Sequence, residues 1–279
     1  MKNCLNKCLG TIPLIVFLFL FSCGPEYTYL RRGIAYYNDG QYDQAISDFT
    51  KALEINPKFA NAYYNRGTAY WTKDEYDQAI SDFNKTLEIN PRDADAYISR
   101  GGVYIKKGQL NQAISDFNKA IELDPKLVEP YLNRGVAYAK KGQADHAISD
   151  FNKALELNPR HAGAFNSRGS TYYHKGEYDH AISDFNKALE INPRDADAYS
   201  NRGSVYREKG QYEQAISDSN KALEINPNFG MAYYQRGRVY YLKGEYNKSW
   251  NDIKKTQDLG FEIPSEFLDE LRKASGRQN

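Results

Sequence analysis

Apolar and polar positions repeat every 34 residues along most of this chain. Within residues 94–127, Tyr97 and Tyr104 fall on one face of a predicted first helix, helix A, at helical spacing. Ala113 and Phe117 belong to the apolar stripe of a predicted second helix, helix B, whose other side is polar. Each copy is therefore predicted to be a pair of amphipathic helices that cannot bury its apolar stripe alone.

Glycine and proline mark where the predicted helices end. Position 15 of the copy is glycine in six of the seven copies and ends helix A, while proline at position 32 stops helix B in six. A last amphipathic helix, with Ser265 as N-cap, is predicted over residues 265–274 as a cap on the final copy. The seven copies, repeats 1 to 7, span residues 26–59, 60–93, 94–127, 128–161, 162–195, 196–229 and 230–263.

The length and residue pattern of these copies resemble the tetratricopeptide repeat (TPR). One departure from the family pattern recurs in all seven repeats: arginine stands before the first glycine, where the family usually has leucine. The resemblance implies an all-α fold, namely a right-handed superhelical solenoid of seven helix-turn-helix repeats plus a C-terminal capping helix. It also implies that helices A line a concave groove. In repeat 3 the matching residues are Tyr97, Gly101, Tyr104, Gly108, Ala113, Phe117, Ala120 and Pro125.

The beginning of the chain has the pattern of a secretory signal. Two lysines precede an unbroken apolar run over residues 14–21, and the surrounding apolar stretch is too short to span a bilayer as a helix. Residues 20–23 resemble the lipobox of bacterial lipoproteins, in which the cysteine is lipidated and becomes the new N-terminus. The resemblance predicts a signal peptide over residues 1–22 and lipidation, including palmitate, at Cys23. An ordinary cleaved signal and an uncleaved anchor are the alternatives.

Charge and cysteine content narrow the class of protein. The 37 basic and 36 acidic residues nearly balance, which argues against binding nucleic acid through bulk positive charge. All three cysteines lie at or before Cys23, so the predicted mature chain has no intrachain disulfide. Gly24 follows the cysteine where an aspartate would signal inner-membrane retention, by analogy with Gram-negative lipoproteins. We therefore expect a lipid-anchored protein of the bacterial cell envelope, in the outer membrane if the source is Gram-negative.

Position 7 is arginine and position 23 is aspartate in every repeat. Opposite charges that recur at a fixed offset predict a structural ladder of ion pairs, either between helices A and B or between adjacent repeats. A basic ladder for an anionic ligand is the alternative. The predicted members are Arg32, Arg66, Arg100, Arg134, Arg168, Arg202, Arg236, Asp48, Asp82, Asp116, Asp150, Asp184, Asp218 and Asp252.

Positions 2, 5, 9, 12 and 13 of helix A form a second stripe, here called the A-helix stripe, which faces the groove in the resembling family. Its residues differ between repeats while the scaffold is copied, as expected of a surface that binds a partner. The alternative is that several of them pack against the neighbouring repeat. The candidate partner-binding residues are Tyr27, Leu30, Ile34, Tyr37, Tyr64, Trp71, Ile98, Ile105, Tyr173, Arg207, Tyr234, Arg238 and Tyr241.

The sequence contains no pattern typical of a catalytic or metal site. The four histidines lack metal-binding spacing, and no glycine-rich phosphate loop is present. We therefore expect no enzyme activity, no cofactor and no metal. A clamp for C-terminal carboxylates is also not expected, because position 5 never carries lysine and position 9 never carries asparagine.

The predicted function is a non-catalytic, lipid-anchored scaffold or adaptor that binds protein or peptide partners. A glycan-binding or structural envelope protein, with groove aromatics stacked on sugars, is the alternative.

Several residues depart from the copied scaffold. Ser219 replaces a core phenylalanine, and Trp250 replaces an isoleucine in the next repeat. We expect the indole of Trp250 to fill the space that Ser219 leaves. Asp74 replaces the glycine that ends helix A in the other repeats.

Overall fold

The computed structural model describes residues 24–277, and its regular structure consists of fifteen α-helices without strands in this range. The predicted all-α class of consecutive helix pairs is confirmed. The predicted signal peptide and Cys23 lie outside the described residues. The helices are α1 (Pro25–Asn38), α2 (Tyr42–Ile55), α3 (Ala60–Thr72), α4 (Tyr76–Ile89), α5 (Ala94–Lys106), α6 (Leu110–Leu123), α7 (Glu129–Lys140), α8 (Ala144–Leu157), α9 (Ala162–His174), α10 (Tyr178–Ile191), α11 (Ala196–Glu208), α12 (Tyr212–Ile225), α13 (Gly230–Leu242), α14 (Tyr246–Asp258) and α15 (Ser265–Ser275).

The chain divides into two compact units, one ending at Pro125 and the other beginning at Lys126. In the first unit, α1 to α6 form three helix pairs, and each helix A packs on the helix B that follows it. Phe117 of α6 is fully buried, and a Cβ atom at Gly101 of α5 would lie only 2.6 Å from its ring. Glycine at position 8 is therefore needed because the phenylalanine ring occupies the space of a side chain.

The second unit contains four helix pairs, α7 to α14, and the C-terminal helix α15. Phe151 and Phe185 fill the same core place as in the first unit. Ser219 is buried in the third pair, where its hydroxyl donates to the backbone carbonyl of Ala215 at 2.9 Å. The serine therefore satisfies its own polar group inside its helix.

Trp250 does not fill the space beside Ser219, which corrects the sequence prediction. Its indole packs with the cluster of Ile253, Phe267 and Leu271. The indole Nε1 donates to the Ser275 hydroxyl of α15 at 3.0 Å. The large residue is therefore explained by the C-terminal helix, which lies beyond the copied pattern.

The C-terminal helix begins one residue differently from the prediction. Pro264, not Ser265, is the N-cap, because its extended backbone directs its carbonyl to the amides of Phe267 and Leu268 at 3.1 and 3.2 Å. Phe267 and Leu271 are buried against the last repeat. The helix thus covers apolar surface that another repeat would otherwise cover.

Helix A ends in a left-handed turn residue at position 15. Gly142 has φ of 74°, whereas Asp74 is the one non-glycine residue with positive φ among residues 24–277, at 59°. An aspartate tolerates this conformation better than most residues do, and its carboxylate accepts a hydrogen bond from the Tyr76 hydroxyl at 2.6 Å. Repeat 2 therefore keeps the turn without glycine.

Candidate functional site

The position-7 arginines and position-23 aspartates form bidentate pairs within each repeat. Arg100 donates from Nε and Nη2 to the two carboxylate oxygens of Asp116, at 2.8 and 2.7 Å. The aspartate is buried, and the arginine is mostly shielded from solvent. Both oxygens are satisfied, so the pair compensates a charge inside the repeat. The same two-bond pairing is made by Arg32, Arg66, Arg134, Arg168, Arg202 and Arg236 with the aspartate sixteen residues ahead.

The third donor of the guanidinium joins adjacent repeats. Arg100 Nη1 donates to Asn84 Oδ1 at 2.5 Å, and Arg66 Nη1 donates to Thr50 Oγ1 at 3.0 Å. The Arg100 guanidinium also lies 5.5 Å from the ring centre of Tyr97. These contacts occupy the guanidinium, so it offers little to an anionic ligand. The sequence prediction missed the contact to position 25. Asparagine recurs at this position, as Asn84 does in repeat 2, and this recurrence would have indicated the contact.

Pairing favours the charged forms of Arg168 and Asp48. Donation to Asp184 raises the pKa of the Arg168 guanidinium above its ordinary value. Hydrogen bonding from Arg32 lowers the pKa of the Asp48 carboxyl. Because this pKa is lowered in the folded state, the contribution of Asp48 to stability is present above the unfolded carboxyl pKa, about 4, and is lost as pH falls.

A second set of ion pairs joins neighbouring repeats at their surface. Lys73 Nζ lies 2.6 Å from Asp43, and Lys175 Nζ lies 2.8 Å from Asp145. In both cases a lysine at position 14 reaches the acid at position 18 of the preceding repeat. The acids are exposed, so each pair contributes little to stability. This set was not predicted, although a constant offset of thirty residues in the sequence would have indicated it.

In the first unit, the A-helix stripe is partly exposed at its beginning. Tyr27 and Ile34 are 38% and 36% exposed. Leu30, in contrast, is buried in the cluster that contains Phe49 and Phe59. This corrects the assignment of Leu30 to the partner-binding surface, because its side chain belongs to the core between repeats 1 and 2.

Three large side chains of the stripe connect successive A helices. The Tyr37 hydroxyl lies 3.0 Å from the Thr72 hydroxyl, and the Tyr64 hydroxyl lies 3.2 Å from that of Ser99. The Trp71 indole covers Gly102, where a Cβ atom would lie 2.9 Å from the ring. The three side chains, like those of Ile98 and Ile105, are half-buried. One face of each is therefore used in packing, as the alternative interpretation of the stripe expected.

Arg207 needs correction as a partner-binding residue, and the half-buried tyrosines of repeat 7 contact the C-terminal helix. Arg207 is buried, and it donates to Gln235 of α13 and to Glu208. Tyr234 and Tyr241 meet Phe267 of α15 edge-on, with ring centres 5.9 and 5.4 Å apart. The C-terminal helix therefore covers this part of the stripe. Of the other candidates in this unit, Arg238 lies over the Tyr234 ring and Tyr173 packs against the cluster around Phe185.

A cavity of about 590 Å³ lies in the second unit, between repeats 4 and 5. Small residues of repeat 4, Ala139 and Ala144, line it together with Phe151 of the same repeat. Ser167 and His174 of repeat 5 contribute polar groups. The prediction from the sequence missed this cavity, although alanine at positions 12 and 17 is unusual among the repeats.

Neither a metal centre nor a membrane span occurs in the part of the chain that the structure describes. No group of three or more histidine, cysteine, aspartate or glutamate residues between 24 and 277 is arranged to hold a metal ion. In the same range, every helix is too short or too polar to cross a membrane.

Consecutive helix pairs with a copied core define a helical-repeat protein. A family model described as TPR repeat matches residues 33–74, 101–142, 169–206 and 203–244. A second model, described as tetratricopeptide repeat, matches residues 60–93 and 128–161. A third, with the same description, matches residues 83–115. The chain belongs to the tetratricopeptide repeat family.

Solved structures with the same fold include proteins from several bacteria. A tetratricopeptide repeat protein from Parabacteroides merdae has 22% identity and a TM-score of 0.73, with 91% of this chain and 100% of that chain covered. YrrB, described as a TPR protein with an unusual peptide-binding site, has 30% identity and a TM-score of 0.52, with 66% and 95% covered. PilF of Pseudomonas aeruginosa has 21% identity and a TM-score of 0.63, with 72% and 92% covered. No curated protein sequence matches the chain.

Proposed function

We propose that this protein is a non-catalytic scaffold that binds protein or peptide partners along its A-helix stripe. The observation that carries the proposal is the contrast between a copied scaffold and a stripe that differs in every repeat. Copied positions have partners inside the fold, as the Arg100–Asp116 pair illustrates. The exposed stripe residues Tyr27 and Ile34 have no such copied role and provide apolar contact area.

The similarity to YrrB supports a peptide as the kind of ligand. That protein is described as having an unusual peptide-binding site, and it is 30% identical to this chain. An extended peptide or an amphipathic helix presents alternating or stacked apolar side chains, which suits a stripe of apolar and aromatic positions.

An exposed isoleucine on the stripe has a matched control elsewhere on the surface. Ile34 lies on the stripe and is 36% exposed, whereas Ile89 lies at the end of a B helix and is 38% exposed. A partner captured from a detergent-solubilised envelope and then purified is expected to bind Ile34→Glu at least about tenfold more weakly, about 1.4 kcal/mol. Ile89→Glu should bind normally. Equal binding by both variants would contradict a role for the stripe.

The location at the bacterial cell envelope rests on the signal pattern of the sequence. We propose that Cys23 is lipidated and holds the repeats at the membrane, in the outer membrane if the source is Gram-negative. Two acyl signals suffice for stable membrane attachment, so no spanning helix is needed. Metabolic labelling with palmitate should mark the wild-type chain but not Cys23→Ser. Label retained by the variant would contradict lipidation at this residue.

A glycan-binding envelope protein is the second candidate, and the exposed ring of Tyr27 is the observation that favours it. Retention on purified peptidoglycan, lost in Tyr27→Ala, with no protein captured would support this candidate instead. Capture of a purified protein that still binds without glycan would support the scaffold.

A further inference from the structure

The cavity between repeats 4 and 5 exists because two positions have lost their large side chains. Ala139 occupies position 12 and Ala144 occupies position 17. Every other repeat carries a larger residue at both positions. At position 12 these residues are Tyr37, Trp71, Ile105, Tyr173, Arg207 and Tyr241. At position 17 they are Tyr42, Tyr76, Leu110, Tyr178, Tyr212 and Tyr246.

In the neighbouring repeat 5, two tyrosines occupy the place that is empty in repeat 4. The rings of Tyr173 and Tyr178 lie 6.0 Å apart and pack on the cluster that contains Phe185. The equivalent phenylalanine of repeat 4, Phe151, instead borders the cavity. The fold thus shows which kind of side chain fits this space, namely the ring of a tyrosine.

The polar groups of the cavity match the hydroxyl of a tyrosine. Ser167 occupies the place of Ser99, whose hydroxyl lies 3.2 Å from the Tyr64 hydroxyl. In repeat 4 the residue equivalent to Tyr64 is Leu132, which has no hydroxyl. Within the described residues, the Ser167 side chain makes no hydrogen bond. A phenol that enters the cavity would therefore find a free hydroxyl at its end.

His174 offers a second polar partner at the rim. It occupies the place of Thr72, whose hydroxyl lies 3.0 Å from that of Tyr37. Ala139 leaves this partner unused in repeat 4, because it replaces the tyrosine of position 12. Two tyrosine contacts that hold repeats together elsewhere are thus both available at this cavity.

One lysine without an ion pair within residues 24–277, Lys140, lies beside the cavity. Lys140, His174 and Lys175 border it, and no acidic residue does. Lys175 is paired with Asp145 and Glu177. Lys140 is exposed and makes no ion pair with any described residue. An acidic residue next to an inserted side chain would meet the unpaired charge of Lys140.

We propose that this cavity receives a tyrosine side chain of the protein partner, with an acidic residue next to the tyrosine. The inference rests on the proposed function and identifies the partner chemistry at one place on the stripe. A buried aromatic residue from a partner is the usual form of an energetically dominant contact. A cavity of about 590 Å³ falls within the range of ligand-binding pockets, roughly 300–1,000 Å³.

The first test uses a defined peptide and does not depend on finding the partner. Acetyl-Asp-Tyr-Asp-amide is titrated into the full-length chain in lipid nanodiscs, with alanine methyl groups labelled for NMR. We expect saturable shifts of the Ala139 and Ala144 methyl signals and nuclear Overhauser effects to the tyrosine ring. Acetyl-Asp-Ala-Asp-amide should bind at least about tenfold more weakly, and acetyl-Lys-Tyr-Lys-amide should also bind more weakly. Equal binding of the alanine and tyrosine peptides, or no Overhauser effect, would overturn the proposal.

Reciprocal variants test whether the two alanines create the site. Ala139→Tyr/Ala144→Tyr restores the residues of repeat 5 and should abolish peptide binding. Tyr173→Ala/Tyr178→Ala should open a second cavity in repeat 5 and add a second binding event. Retained binding by the filled variant, at unchanged affinity, would overturn the proposal. The Overhauser measurement on the wild-type chain decides the matter if either variant fails to fold.

The outcomes for the cavity and for the proposed function are distinguishable. A purified partner that binds the filled variant normally but fails to bind Ile34→Glu would overturn the cavity proposal alone. Failure to find any partner that depends on the stripe would contradict the proposed function, whereas the peptide titration would still report on the cavity.

Discussion

The same place between two A helices is filled between repeats 2 and 3 and empty between repeats 4 and 5. In the first case Trp71 covers Gly102, and both Trp71 and Tyr76 pack on the cluster that contains Phe83. In the second case Ala139 and Ala144 leave a cavity of about 590 Å³. The core phenylalanine and the bidentate arginine pair are nevertheless present at both places. The scaffold therefore does not require this place to be filled, which leaves it free to serve binding.

The largest expected effect concerns the feature that both places share. Arg100→Met and Arg168→Met each leave a buried aspartate without its cation, so each is expected to lower the free energy of unfolding by about 3–5 kcal/mol. Urea denaturation followed by circular dichroism measures this. Arg100→Met/Asp116→Leu should recover most of the loss, because it removes the unpaired charge as well. A loss below about 0.5 kcal/mol in both single variants would mean that the pairs are not structural.

Emptying the filled place is the next largest change. Trp71→Ala is expected to lower the free energy of unfolding by about 2 kcal/mol, less than for a fully buried tryptophan because the indole is half-buried. A double-mutant cycle with Gly102→Ala sharpens the measurement. Alanine at 102 should destabilise the wild-type chain by about 1 kcal/mol, since its Cβ would lie 2.9 Å from the indole. The same change should be neutral without Trp71, and additive effects would contradict the contact.

Filling the empty place should have a smaller effect of opposite sign. Ala139→Tyr/Ala144→Tyr is expected to raise the free energy of unfolding by about 1 kcal/mol, because two rings cover apolar surface that is now open. Thermal and urea unfolding provide the measurement, with Ser170→Ala as a control that leaves the cavity unfilled. Destabilisation by the double variant would mean that repeat 4 is not shaped like its neighbours at this place.

The smallest expected effect is in the turn that ends helix A. Asp74→Gly should raise the free energy of unfolding by about 0.5 kcal/mol, because glycine adopts positive φ without steric cost. The lost hydrogen bond from Tyr76 limits the gain. Gly142→Ala, at the same position of repeat 4, should instead lose about 1 kcal/mol. A comparison of melting temperatures checks both, and a gain in Gly142→Ala would contradict the role of the turn.

Features set by local sequence periodicity could be predicted. The helix pairs and the turn at position 15 depend on residues within one repeat, and copying makes each signal appear in six or all seven repeats. The offset between Arg100 and Asp116 likewise recurs along the chain, and the structure places each such pair in hydrogen-bond contact.

Features set by neighbours outside the repeat could not be predicted from the pattern. Tyr234, Tyr241 and Trp250 are covered by α15, whose docking leaves no periodic signal. Leu30 is buried because it lies in a cluster that joins Phe59, at the end of repeat 1, to Ala62 of repeat 2. The cavity is present because two alanines stand where other repeats have larger side chains. It could be recognised only once the positions of the surrounding side chains were known. A position on the A-helix stripe therefore indicated the side of the helix on which a residue lies, but not whether its side chain is exposed.

The affinity of the purified partner for the filled chain tests the central claim most directly. Isothermal titration calorimetry would compare the wild-type chain with Ala139→Tyr/Ala144→Tyr, after circular dichroism shows that both are equally helical. If a partner tyrosine enters the cavity, the filled variant binds at least about tenfold more weakly, about 1.4 kcal/mol. An unchanged affinity in an equally folded variant would contradict the account.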